Sequence, residues 1–153
     1  MNSNIKFVQV LPDDPDLISL ISKLDQYLYE LYPADEVFGV DLNDPYAYDI
    51  HFVIAYLDET PVGCGAVREI DEQSAELKRF FVEPEYRNRG IAGLILNQLE
   101  NVARHRKYKF IKLETGEPQN EAIRFYKKNG YYHIASFGEY TCCPSSVRFE
   151  KKL

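Results

Sequence analysis

Apolar positions along this chain recur with two different periods, and the period switches several times. Residues 6–11, KFVQVL, read as a first strand. Across residues 14–32, DPDLISLISKLDQYLYELY, the residues Leu17, Leu20, Ile21, Leu24, Leu28 and Leu31 fall at helical spacing. Asp14 or Asp16 is the expected N-cap. Residues 33–49, PADEVFGVDLNDPYAYD, are polar, aromatic and turn-rich, which predicts a loop or a broken helix. HFVIAYL and VGCGAVREI then flank DETP, a hairpin signal, and DEQS turns the chain into a further strand, AELKRFFV. The next helix, GIAGLILNQLENVARHRKY, carries Ile91, Leu94, Ile95, Leu99 and Val102 on one predicted stripe. KFIKLETG reads as a strand, and PQNEAIRFYKKNG as a short helix that stops at Gly130. YYHIASF and SSVRFEKKL are the expected closing strands, joined by GEYTCCP.

This order predicts an α/β domain: a meander of strands followed by one strand–helix–strand crossover. With 153 residues, no internal repeat and no linker, residues 1–153 are expected to form one domain. An apolar fraction of 45% is too high for a disordered chain. Pro12, Pro15 and three aspartates in the first twenty residues do not resemble a secretory signal, and no apolar run reaches the ~18 residues of a membrane span. A cytoplasmic protein with no membrane partner is the expectation. Cys64 sits in an apolar strand and reads as buried packing; Cys142 and Cys143 lack metal-ligand spacing, so no metal is expected. His51, His105 and His133 are scattered one per segment.

The net charge of −6 conceals a division. Residues 1–76 carry 3 basic and 16 acidic side chains, whereas residues 77–153 carry 15 and 8. Either the two surfaces simply differ, or a basic half holds an anionic cofactor while an acidic half attracts a cationic substrate. The stretch YRNRGIAG sharpens the second account. A helix N-terminus presents unpaired N–H groups and about half a positive charge. Gly90, Ala92 and Gly93 let a ligand approach that backbone, and Arg87 and Arg89 add cations suited to a pyrophosphate. Gly93 is followed by Leu94-Ile95 rather than Lys-Ser/Thr, so this is no Walker loop. A dinucleotide fingerprint also fails, because Ala92 replaces its middle glycine and EPEYR separates Val82 from Asn88.

The run Arg87-Asn88-Arg89-Gly90-Ile91-Ala92 resembles the acyl-CoA signature [Q/R]-x-x-G-x-[G/A] of the GNAT superfamily of N-acetyltransferases. ELKRFFV resembles that family's fourth strand and KFIKLETG its fifth. QNEAIRFYKKNGY resembles its N-x-x-A-x-x-x-Y-x-x-x-G-[FY] element through Ala122, Tyr126, Gly130 and Tyr131, although Gln119 stands in the asparagine position and Asn120 comes one later. The likeness covers residues 48–135. The closing segment also resembles a bacterial branch with F-x-x-Y-x-x-x-P-x-S-V near its end, whose members mostly act on small molecules.

The resemblance implies a mixed, largely antiparallel sheet whose fourth and fifth strands splay apart around a central β-α-β crossover. It also implies acetyl-CoA as cosubstrate and direct attack of an amine on the thioester. Phe80, Phe81 and Val82 would grip the pantetheine, the turn from Arg87 through Asn88, Arg89, Gly90, Ile91 and Ala92 to Gly93 the pyrophosphate, and Gln119 or Asn120 the pantetheine or ribose side. A backbone N–H of Phe81 or Val82 would face the oxyanion. Glu76, eleven residues before Arg87, matches the general-base position of histone-acetylating members, acting directly or through a water; Tyr126 matches the general acid. Tyr29, Tyr32, Glu36 and Tyr140 are candidate acceptor-pocket residues, with Tyr27 less securely on the same helix face. Ser145, Ser146 or Arg148 could instead bind a carboxylate.

Three functions stay open at this point. The first is an N-acetyltransferase for a small amine or amino acid, the second one for protein lysines or N-termini, and the third a non-catalytic acyl-CoA-binding module. No basic motif interleaved with aromatics appears, so no nucleic-acid partner is expected. Dimers are common in the family, which leaves a homodimer open.

Overall fold

The computed structural model describes residues 4–33, 41–116, 119–135 and 146–153. Element order follows the hydropathy pattern: β1 (Ile5–Val10), α1 (Pro15–Leu31), β2 (His51–Leu57), β3 (Thr60–Glu69), β4 (Ser74–Val82), α2 (Ile91–His105), β5 (Phe110–Gly116), α3 (Asn120–Lys128), β6 (Tyr132–His133) and β7 (Ser146–Lys152). Among the described residues, the polar segment after α1 contributes a 3₁₀ turn, Pro45–Asp49. Of the predicted strand over residues 131–137, only Tyr132–His133 is strand within the described residues.

The seven strands form one sheet in the order β1-β2-β3-β4-β5-β7-β6. Every neighbouring pair is antiparallel except β4 and β5. These two are parallel and pair only from Ser74 opposite Phe110 to Glu76 opposite Lys112. Beyond that point β4 runs on to Val82 and β5 to Gly116 without pairing to each other. A bulge in β4 contributes to the parting. Ala66 faces Lys78 and Cys64 faces Phe81, so Gly65 stands against two residues, and Arg79 takes φ +53°. A bulge bends its strand and increases local twist, turning β4 away from a straight neighbour.

Each face of the sheet carries its own core. On one, Leu17, Leu20, Ile21 and Leu24 of α1 pack against Phe52, Ile54, Cys64, Ala66 and Phe81. Helix α1 starts where predicted: Asp14 Oδ1 accepts from the N–H groups of Asp16 (2.9 Å) and Leu17 (3.1 Å), with Pro15 in the first turn. On the other face, Ile91, Ile95, Leu96, Leu99 and Ala103 of α2 meet Val53, Val67, Leu77, Ile111, Leu113 and Phe149. Leu94, expected in the buried stripe, is 46% exposed, and Leu96 is buried in its place. The sheet is met by the Ile91–Ile95–Leu99–Ala103 ridge, and Leu94 lies about 100° around the helix from Ile95.

Glu100 is buried on the same helix, because its carboxylate is fully engaged. Tyr131 donates to Oε2 at 2.8 Å, and Lys151 of β7 lies 3.1 and 3.2 Å from the two oxygens. This network fastens α2 to β7 and to the chain after α3. Burying the carboxylate is tolerable because cations and donors replace its water.

Helix α2 also sits close enough to β3 to require glycine there. A Cβ at Gly63 would lie 2.8 Å from both the Phe81 carbonyl oxygen and Ile95 Cδ1. Gly63→Ala is therefore expected to destabilise the fold by about 1–3 kcal/mol, the usual cost of overpacking. Urea denaturation checks this, and an unchanged midpoint would refute the close packing of α2 on β3.

Candidate active site

The parting of β4 and β5 opens a cleft of about 1240 Å³. Its walls come from both faces of the sheet: Leu24, Tyr27 and Leu28 of α1 on one side, the entrance of α2 and the length of α3 on the other. Phe80, Phe81 and Val82 line it from β4, and Leu113, Glu114 and Thr115 from β5.

At the α2 end the backbone is shaped by two left-handed residues, Asn88 (φ +63°) and Gly90 (φ +80°). Leu94 N–H donates to the Gly90 carbonyl at 3.3 Å, and the N–H groups from Asn88 to Gly93 have no backbone acceptor among the described residues. Arg87, Asn88, Gly90, Ile91, Ala92 and Gly93 all line the cleft. No atom lies within 4 Å of the place a Cβ would take on Gly93, so the helix opens there onto empty cleft.

The two predicted cations behave differently. Arg87 Nε–H donates to the Val82 carbonyl at 2.9 Å, and its guanidinium stands 5.7 Å from the ring centres of both Tyr27 and Phe81. It braces the turn against β4 and α1. Arg89 does not line the cleft; its guanidinium lies 5.3 Å over the Tyr86 ring. Two cations missed in the sequence, Arg124 and Lys128, line the cleft from α3. Their i, i+4 spacing in RFYKK was the available signal.

Tyr126 is buried against Phe80, Phe125 and Tyr131, with ring centres 6.2, 5.3 and 5.6 Å away. Burial, and after it the charge of Glu114, pushes its phenol well above the ordinary tyrosine range. It is therefore a neutral hydroxyl at physiological pH, equipped to donate. Thr115 Oγ1 and Arg79 Nε are buried without a hydrogen-bond partner among the described residues, and both residues line the cleft. A buried unpaired donor costs free energy unless a ligand or water meets it. Arg79 also pairs with Asp25 of α1, while Cys64 Sγ lies 3.3 Å from the Arg79 carbonyl. The Cys64 thiol, fully buried as expected, is pushed up to about 12 by that burial.

A family model for the acetyltransferase (GNAT) family matches residues 16–131. The chain belongs to the GNAT acetyltransferase family. An IAA acetyltransferase from Azospirillum brasilense is 36% identical over 152 residues, covering 98% of this chain and 99% of that protein. A Klebsiella pneumoniae structure described as an acyl-CoA N-acyltransferase superposes with a TM-score of 0.83 at 30% identity, covering 99% of each chain. A GNAT family acetyltransferase from Elizabethkingia anophelis, with acetyl-CoA bound, shares the fold at a TM-score of 0.72 and 17% identity, over 99% of this chain and all of that one.

Against this GNAT frame, the expected site residues divide. Phe80, Phe81, Val82, the helix-entrance residues other than Arg89, Gln119, Asn120 and Tyr126 all meet at the cleft. Glu76 is not among its lining: it is 2% exposed, and its Oε1 accepts from Arg68 Nε at 3.0 Å and Nη2 at 2.9 Å. Tyr29 is 56% exposed and outside the cleft, whereas Tyr27 lines it. The pairing of Tyr29 with Tyr32 fails because α1 ends at Leu31 and Tyr32 is an extended C-cap, where helical spacing no longer applies. Tyr32 instead donates to Gln119 Oε1 at 2.6 Å, fixing a residue that does line the cleft. Glu36, Tyr140, Cys142, Cys143 and Ser145 lie outside the described residues. Among the described residues no group of three His, Cys, Asp or Glu side chains could hold a metal, and no helix is long and apolar enough to cross a membrane.

Tyr126 and Tyr131 both hold their protons above the ordinary tyrosine value, Tyr131 through burial and the adjacent Glu100 carboxylate. Their contribution to stability is complete below about pH 10 and is lost as pH rises further, because the unfolded chain then releases protons the folded chain keeps. Denaturation midpoints should fall on the alkaline side, with a shallower slope in Tyr126→Phe. An identical slope in that variant would place the Tyr126 hydroxyl in water.

Proposed function

We propose that this GNAT acetyltransferase moves the acetyl group of acetyl-CoA to a primary amine of a small molecule or amino acid, by direct attack while both are bound. The observation that carries this is the cleft itself, which runs from the bare helix entrance at Gly93 through the gap between β4 and β5 to the α1 side. The fold neighbour with acetyl-CoA bound supports the donor, and the relative named for IAA supports a small acceptor.

The residues present fit that donor. The unpaired N–H groups from Asn88 to Gly93 suit its pyrophosphate, and Arg124 and Lys128 add positive charge beside it. The backbone groups of β4 and β5 freed by the splay, with Thr115 Oγ1, suit the amides of the pantetheine arm. Acetyl-CoA supplies a thioester whose carbonyl carbon an amine can attack. An N–H of Phe81 or Val82 steadies the charge developing on the acetyl oxygen, and one such donor is worth about 3 kcal/mol. Tyr126 delivers a proton to the departing sulfur. Holding amine and thioester together at the gap supplies much of the rate.

Two variants separate binding from chemistry. Gly93→Ala meets no atom and adds helix propensity, so stability is kept or raised by up to about 1 kcal/mol. Its methyl group enters the cleft, however, and acetyl-CoA affinity measured by calorimetry should fall about tenfold, or 1.4 kcal/mol. Tyr126→Phe should keep acetyl-CoA affinity and lower kcat for thiol release about 10²-fold. Unchanged affinity in the first would move the pyrophosphate away from α2, and unchanged kcat in the second would remove Tyr126 from the proton path.

A further inference from the structure

We propose that Tyr32, which stands outside the cleft, is a positioning residue for the donor. It holds the Gln119 carboxamide so that the amide nitrogen faces the pantetheine arm of acetyl-CoA. The inference rests on the acetyl-transfer reading above.

Three residues meet at the end of β5. Helix α1 stops at Leu31, and Tyr32 leaves it in an extended conformation, with its N–H still bonded to the Leu28 carbonyl at 2.9 Å. The ring reaches over Gly116, the last residue of β5, and its hydroxyl donates to Gln119 Oε1 at 2.6 Å. Gln119 is tied to the same corner by its backbone. Its N–H donates to the Gly116 carbonyl at 2.9 Å, and its own carbonyl accepts from Ile123 N–H at 3.0 Å in the first turn of α3.

Gly116 leaves room for this contact. An added Cβ there would lie 1.9 Å from Tyr32 Oη and 2.4 Å from Cζ. Conformation is not the reason for the glycine, because Gly90 and Gly130 are the described glycines with positive φ, and Gly116 is not among them. The space itself is what the position supplies, and the Tyr32 hydroxyl fills it.

Gln119 lines the cleft, as do Thr115 and Asn120, whereas Tyr32 does not. Gln119 stands at the N-cap of α3, yet its side chain caps no helix N–H. Its carboxamide is therefore held for something other than the helix. A carboxamide carries an acceptor oxygen on one prong and N–H donors on the other. The Tyr32 hydroxyl takes the oxygen from outside the cleft and leaves the nitrogen for a ligand within it. Asn120, the alternative partner for the pantetheine, is exposed at the start of α3.

The pantetheine arm carries amide carbonyls that need donors once they leave water. A free glutamine side chain would have several torsions to freeze when it met one of them. Tyr32 freezes these in advance, so their entropy is not lost again when the donor binds.

The test is acetyl-CoA affinity by calorimetry in wild type, Tyr32→Phe, Gln119→Ala, the double variant and Gly116→Ala. Tyr32→Phe should weaken acetyl-CoA about fivefold, the usual scale of one ordered hydrogen bond. Gly116→Ala should do the same by displacing the hydroxyl, and Gln119→Ala should cost at least as much. In the Gln119→Ala background, Tyr32→Phe should cost nothing further, because Tyr32 acts through Gln119. Adenosine 3′,5′-bisphosphate, which lacks the pantetheine arm, should bind every variant as it binds wild type. Unchanged acetyl-CoA affinity in Tyr32→Phe or Gly116→Ala overturns the proposal. So does a Tyr32→Phe loss that persists without Gln119, which would make Tyr32 a structural residue, or an equal loss for the bisphosphate. A wild type that does not bind acetyl-CoA overturns the donor reading itself, an outcome distinct from a hydroxyl given the wrong role.

Discussion

Two parallel strands that hydrogen-bond over a few residues and then separate leave a row of backbone N–H and C=O groups without strand partners. In the middle of a sheet that is costly unless water or a ligand meets those groups, because no neighbouring strand does. β4 and β5 do this immediately after Glu76 and Lys112. The cleft, the access from both faces and the positions of Tyr126 and Glu114 all follow from that parting. It is sustained by a bulge at Arg79, held by Asp25 from α1, and by Phe80, which the bulge turns into the aromatic cluster with Phe125 and Tyr126. The outer edges of both strands remain paired, β4 to β3 on either side of the bulge and β5 to β7 along its length.

Charge is distributed to serve the same opening. The acidic first half and basic second half of the chain are joined through a specific ion pair, Asp25 with Arg79. Part of the asymmetry is thus consumed internally. What reaches the cleft from the basic half is Lys78, Arg79, Arg87, Arg124 and Lys128, against Glu114 and Glu121. This lining suits the polyanionic donor and the amine acceptor proposed above. Buried charges away from the cleft, such as Glu100, have complete sets of partners and act as fasteners.

Much of this was legible in one dimension. The apolar periods located every helix and most strands, Asp14 and Gly130 marked the helix boundaries they occupy, and RNRGIA carried the helix entrance. These features are local: a cap, a left-handed glycine or a helical stripe is decided by residues within a few positions of one another. Tyr126 was legible for the same reason, since its position was read from spacing within a single helix.

What the sequence could not determine depends on residues far apart along the chain. The packing of the Arg87 guanidinium beside the Tyr27 ring, sixty residues earlier, is one such case. Which tyrosine of α1 reaches the cleft depended on where the helix stopped. Glu76 and Glu114 are both strand glutamates preceded by an apolar residue, and no local pattern separates them. Only the register of β3, β4, β5 and β7 places one in a closed ionic row and the other at an open gap, because strand pairing is a long-range choice that fixes neighbours no sequence window contains.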